Sequence, residues 1–127
     1  MTIYYKVVDT CCGDRMQSIG QWPSLRLLYV LNKTTWPKIG CLYAYNNLRN
    51  AKKAAAEYRK WLPIIIIEGT GHAVRSSVKP QASGIWCNFE YFWQDVFKGV
   101  IRSTDQSFKI PMGTRLLYSF TPRRVCG

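Results

Sequence analysis

The chain has one histidine, His72, four residues after Glu68 in the stretch Glu68-Gly69-Thr70-Gly71-His72. An imidazole brought near a carboxylate is the smallest unit able to do acid/base work at neutral pH. No nucleophile motif accompanies the two, and an isolated loop histidine is ordinarily incidental. The sequence therefore assigns no catalytic residue, and Glu68 and His72 are only the positions from which catalysis would have to come. Gly69-Thr70-Gly71 lacks the third glycine and following helix of a dinucleotide fingerprint, and the lysine of a phosphate loop. The seven carboxylates, Asp9, Asp14, Glu57, Glu68, Glu90, Asp95 and Asp105, form no divalent-metal motif. The five cysteines, Cys11, Cys12, Cys41, Cys87 and Cys126, are odd in number and contain no C-x-x-C, which excludes a zinc ribbon and a thioredoxin-like motif. Vicinal Cys11-Cys12 beside Gly13 is the one place for a soft metal or a strained disulfide. Reduced thiols and no cofactor are the simpler expectation.

Charge points elsewhere. Eighteen Lys and Arg against seven Asp and Glu give a formal charge of +11 and a pI near 9.7, which favours polyanionic partners. Four cations, Arg49, Lys52, Lys53 and Lys60, fall in an alanine-rich stretch, and Arg123 and Arg124 close the chain. Trp86, Phe89, Tyr91, Phe92, Trp93 and Phe97 offer stacking surfaces, with Arg75, Lys79, Lys98 and Arg102 near in sequence. A domain of this size cannot expose six large rings, so most of them belong to a core.

These residues must be held by short strands and one helix. Ile3 to Val8, Leu25 to Leu31 and Cys41 to Tyr45 are β-branched or aromatic runs separated by turn-forming segments, and they read as strands. Asn46 or Asn47 caps a helix over about residues 47–61 that must stop before Pro63. At about 100° per residue, Leu48, Ala51, Ala55, Tyr58 and Leu62 share one side. The cations share the other, within about 60° of their mean direction, with Ala56 between them leaving room for a phosphate backbone. Ile64 to Ile67 shows no alternation, which predicts a strand covered on both faces. Gly69 to Gly71 and Lys79 to Gly84 read as loops, and Ile85 to Val100 as a strand leading into a helical turn. Pro111-Met112-Gly113-Thr114 is a turn launching a last strand, Arg115 to Phe120, before a basic tail from Thr121 to Arg124. The expected fold class is α+β: a mainly antiparallel twisted sheet with the amphipathic helix against it, in one domain over residues 1–127.

Two resemblances add to this. Tyr4-Tyr5-Lys6-Val7-Val8, then Gly40-Cys41-Leu42-Tyr43-Ala44-Tyr45 with Leu48 and Ala51-Lys52-Lys53, then Pro111-Met112-Gly113-Thr114, resembles small uncharacterised proteins of bacteriophages. That resemblance implies a phage-encoded accessory protein acting on host machinery or host defence. The segment from Gly40 to Ala55 is similar to the strand-then-helix element of ADP-ribosyltransferase-like folds, which implies an NAD-using transferase with Glu68 or Glu90 as catalyst. The chain departs from that pattern, since Ile3 to Val8 carries only Lys6 where an Arg or His belongs, and Ser76-Ser77 stands where a Ser-Thr-Ser strand belongs.

The expected function is a small basic binding protein that meets phosphates of nucleic acid or a nucleoprotein with Arg49, Lys52, Lys53 and Lys60, assisted by Arg123 and Arg124. Its rivals are an inhibitor that binds a host protein through an aromatic patch and the NAD-using transferase. The longest apolar stretch, Trp61 to Ile67, is far short of the ~20 residues that cross a bilayer. The N-terminus has no signal-peptide pattern, so a host cytosol is the expected location. Oligomeric state leaves no mark in the sequence.

Overall fold

The structure is a computed structural model that describes residues 2–10, 15–19, 26–38, 42–73 and 113–127. Its elements run β1 (Ile3–Asp9), β2 (Met16–Gln17), β3 (Leu28–Tyr29), β4 (Leu42–Tyr45), α1 (Leu48–Tyr58), β5 (Ile64–Ala73) and β6 (Thr114–Val125). Every strand pair among the described residues is antiparallel. β1 pairs with β4, β4 with β6, β6 with β5 and β5 again with β1, so four strands close into a small barrel. β2 and β3 extend the sheet from the far end of β1. The fold is thus α+β, with one helix on a strand-rich antiparallel body.

Strand alternation sorts the core into two layers. Tyr4 and Val8 of β1, Leu42 and Ala44 of β4, Ile65 and Ile67 of β5, and Leu117 and Phe120 of β6 form one cluster. Every strand of the closed circuit contributes to it, so it is the barrel interior. Tyr29 of β3 plugs it, meeting Phe120 edge-to-face at 6.2 Å between centroids. The second cluster takes the intervening residues, Tyr5, Val7, Tyr45, Ile64 and Ile66, and packs them under Ala51, Ala54 and Ala55 of α1. Three alanines let the helix backbone approach the barrel closely.

The isoleucine run lies between β1 and β6 and serves both layers, Ile65 and Ile67 inward and Ile64 and Ile66 toward the helix. This accounts for its missing alternation.

The helix is shorter than its sequence pattern. Asn47 caps it, its side-chain oxygen accepting from the Asn50 amide at 2.9 Å. Beyond Tyr58 the chain tightens into a turn in which the Trp61 and Leu62 amides both donate to the Tyr58 carbonyl, as a chain approaching Pro63 must. At the N-terminal end, Gly113 adopts φ +84°, and a Cβ there would fall 2.3 Å from Asn50 Nδ2. Its carbonyl accepts from the Asn46 amide at 2.9 Å, tying the helix start to the start of β6.

Two expected loops are strand. Gly69 to His72 continues β5, because its backbone pairs with β6 from Gly69↔Pro122 to His72↔Ser119. The supposed tail from Thr121 to Arg124 completes β6 on the same ladder. Among the described residues the second strand is Leu28–Tyr29 and the third Leu42–Tyr45, while the first gains Asp9. The expected strand and helical turn over 85–100, with its aromatics, and Cys11, Cys12, Cys41, Cys87, Glu90, Ser76 and Ser77 lie outside the described residues.

Candidate nucleic-acid interface

α1 places its alanines against the barrel, which turns Arg49, Lys52 and Lys53 outward, all exposed. With Leu48 and Ala56 they line a shallow depression of about 540 Å³. Two of its lining residues are apolar and three are cationic. None of the three makes an ion pair among the described residues, where the carboxylates of Glu57 and Glu68 are taken by Lys60 and Arg124. Lys60, placed on the same stripe by its spacing, stands in the turn after the helix and bonds Glu57 at 3.0 Å.

Arg123 and Arg124 occupy different stations at the end of β6. The ladder runs Glu68↔Arg124 then Gly69↔Pro122, so Arg123 is the extra residue of a β-bulge. Such bulges re-aim a side chain away from the regular pleat, and among the described residues Arg123 donates to the neutral Asn32 Oδ1, at 3.2 Å. Arg124 is clasped by both oxygens of Glu68.

The helix and β6 meet at Cys126. Burial raises its thiol pKa first and the Glu68 charge raises it further, while Arg124 and Lys52 pull it back.

Glu68 and His72 are not brought together. Four residues apart on one strand they are separated by about 13 Å, from a rise of roughly 3.3 Å per residue. The hydrogen bond from Arg124 holds the Glu68 carboxyl below its usual range, with a smaller contribution from Tyr5, which suits a structural anion better than a proton acceptor. His72 pairs through Nδ1 with Ser119 Oγ at 3.2 Å. Among the described residues no cluster of His, Cys, Asp and Glu is built to hold a metal. No described helix is long and apolar enough to cross a membrane.

Three residues stand out that sequence reasoning passed over. Lys6 lies between Tyr4 and Val8 and so points into the barrel. Its ammonium donates to the Tyr43 carbonyl and lies 5.6 Å from the Tyr29 ring centre. The residue is half-buried, and loss of hydration lowers the pKa of its ammonium to about 8. The sequence signal was a lysine at an inward position of an otherwise apolar strand. Trp36 and Tyr118 remain 64% and 56% exposed. The barrel is formed without either ring, which only the strand register reveals.

Comparison of the chain with protein families, with curated proteins and with solved structures returned no match.

Proposed function

We propose that the protein is a small basic binding protein that engages nucleic acid, or the nucleic acid of a nucleoprotein, through the outer face of α1. The observation that carries this reading is the shallow depression lined by Leu48, Ala56, Arg49, Lys52 and Lys53, the last three being cations with no carboxylate partner among the described residues. Phosphate contacts of this kind supply affinity without reading sequence. Arg123, whose described partner is neutral, assists better than Arg124, which is engaged by Glu68. Lys60 contributes less than its position suggests, because Glu57 offsets it. The pattern of short motifs that resembles small bacteriophage proteins is the ground for proposing a phage-encoded accessory role in a host cytosol, acting on nucleic-acid or defence machinery.

Each phosphate contact releases counterions, so affinity falls with salt at a log-log slope of roughly −0.7 to −0.9 per contact. Fluorescence anisotropy with labelled single- and double-stranded oligonucleotides across a salt series tests the reading. Lys52→Glu with Lys53→Glu should weaken binding and flatten the slope by about two units. The melting temperature should hold, since exposed charges contribute at most ~1 kcal/mol. Unchanged affinity in that double variant would reduce these cations to a solvated face and favour the inhibitor of a host protein.

A further inference from the structure

The outer face of the barrel beyond the helix carries a second constellation. Residues 32–35 run alongside β6 above the end of β4: the Asn32 amide donates to the Pro122 carbonyl at 2.7 Å, and Thr35 and Phe120 exchange both backbone bonds at 2.8 and 3.0 Å. Phe120 points inward, so Ser119 and Thr121 point outward. The hydroxyls of Thr34 and Thr121 meet at 2.7 Å, which puts Thr34 on that outer face and, two residues on, Trp36 as well. Continuing the antiparallel bridge Thr35↔Phe120 by one residue sets Trp36 opposite Ser119. On the other side of β6, Ser119 pairs with His72 and bonds its imidazole. Trp36, Ser119 and His72 therefore form one row across three segments.

Tyr118 stands beside that row. The ladder passes from His72↔Ser119 to Ala73↔Leu117, so Tyr118 is the extra residue of a second bulge, and its ring is turned out while Leu117 is fully buried. Trp36 and Tyr118 thus flank the His72–Ser119 pair with two exposed rings, held on hydrogen-bonded backbone rather than on a free loop. Lys33 and the bulged Arg123 stand at the margin of this face, both exposed. The one carboxylate described on it, Glu68, is paired with Arg124.

We propose that this row is a base-stacking site for single-stranded nucleic acid. Trp36 and Tyr118 supply π faces for bases, the exposed His72, held by the buried Ser119 hydroxyl, supplies a polar atom for a base edge or a sugar, and the marginal cations meet phosphates. Charge complementarity selects this occupant, since a net positive face that presents two rings, the His72 imidazole and the Thr34 hydroxyl to solvent matches the chemistry of an unpaired strand. A duplex keeps its bases stacked on one another and gains nothing from the rings. The ligand class rests on the nucleic-acid reading of α1, but the residues are different and fail separately.

The test compares a short single strand, an abasic strand of equal length and a duplex by anisotropy. Trp36→Leu, which keeps an apolar side chain and removes the π face, and Tyr118→Leu should each weaken the base-bearing single strand about ten-fold. Neither should change the salt slope, the abasic strand or the duplex. Trp36→Phe should restore most of the affinity and guards against a folding defect in Trp36→Leu. Single-strand affinity unchanged in both leucine variants overturns the inference, as does an abasic strand bound as tightly as the base-bearing one. If affinity is lost only in the Lys52/Lys53 variant, the helix reading stands and this one falls. If the wild-type protein binds no strand, both fall.

Discussion

At the scale of single residues, Lys6 is an ionisable group whose chemistry burial changes. An ammonium turned into an apolar barrel loses hydration, and here a carbonyl and an aromatic face return only part of it. The folded pKa of about 8 lies below the ordinary 10.5. The unfolded chain therefore holds a proton the folded chain gives up between those values, and stability rises with pH across that window. Below pH 8 the whole penalty applies, on the order of 3 kcal/mol from the size of the shift. Lys6→Met should accordingly be more stable than wild type at neutral pH by up to that order. Its advantage should shrink as pH climbs through the window and vanish above it. Urea denaturation at a series of pH values reads both effects, and a variant less stable at neutral pH would show that the carbonyl and ring contacts outweigh desolvation.

At the scale of elements, β5 does the most and was half legible. Its isoleucines announced a strand covered on both faces because burial on both sides erases alternation. The following Gly-Thr-Gly looked like a loop, since glycine is the commonest mark of one. Here glycine serves close approach instead: a Cβ on Gly69 would fall 2.2 Å from the Thr121 carbonyl oxygen and 2.8 Å from the Phe120 ring. Backbone cannot yield as a flexible side chain can, so Gly69→Ala should destabilise by about 1 to 3 kcal/mol, measured as a lower urea midpoint. A midpoint unchanged by that substitution would mean the two strands have room to part. The helix was legible in type and in its basic face because both follow from a 3.6-residue period. Its end was not, since the last turn is set by Pro63 and the packing beneath Leu62 rather than by propensity. The outer row of Trp36, Ser119 and His72 was invisible in the sequence, because it joins three segments whose adjacency comes only from strand pairing.

At the scale of the molecule, β1, β4, β6 and β5 form a closed circuit, and closure gives residues 121–124 a role that their composition conceals. Thr121 to Arg124 looks like a basic tail free to reach a polyanion, yet these residues complete β6 against β5. There the Asn32 amide bonds Pro122, the Cys126 amide bonds the Ile66 carbonyl at 2.9 Å, and Arg59 bonds the Gly127 carbonyl. Pro122 is fully buried. Removing residues 121–127 would strip β5 of its partner over Ile67 to Thr70, leave the Glu68 carboxylate without Arg124, and open a hydrophobic edge that invites pairing with other chains. Such contacts between distant parts of the chain are also slow to form and gain little until the circuit shuts. The truncated chain should therefore show no cooperative thermal transition and should aggregate. Arg123→Ala with Arg124→Ala in the full chain should instead melt as a cooperative unit, with stability changed by about 1 kcal/mol or less, since exposed pairs contribute little. Calorimetry of the two variants separates a strand from a tail: if residues 121–127 were only a ligand-binding appendage, the truncation would melt like wild type and lose nothing but its oligonucleotide affinity.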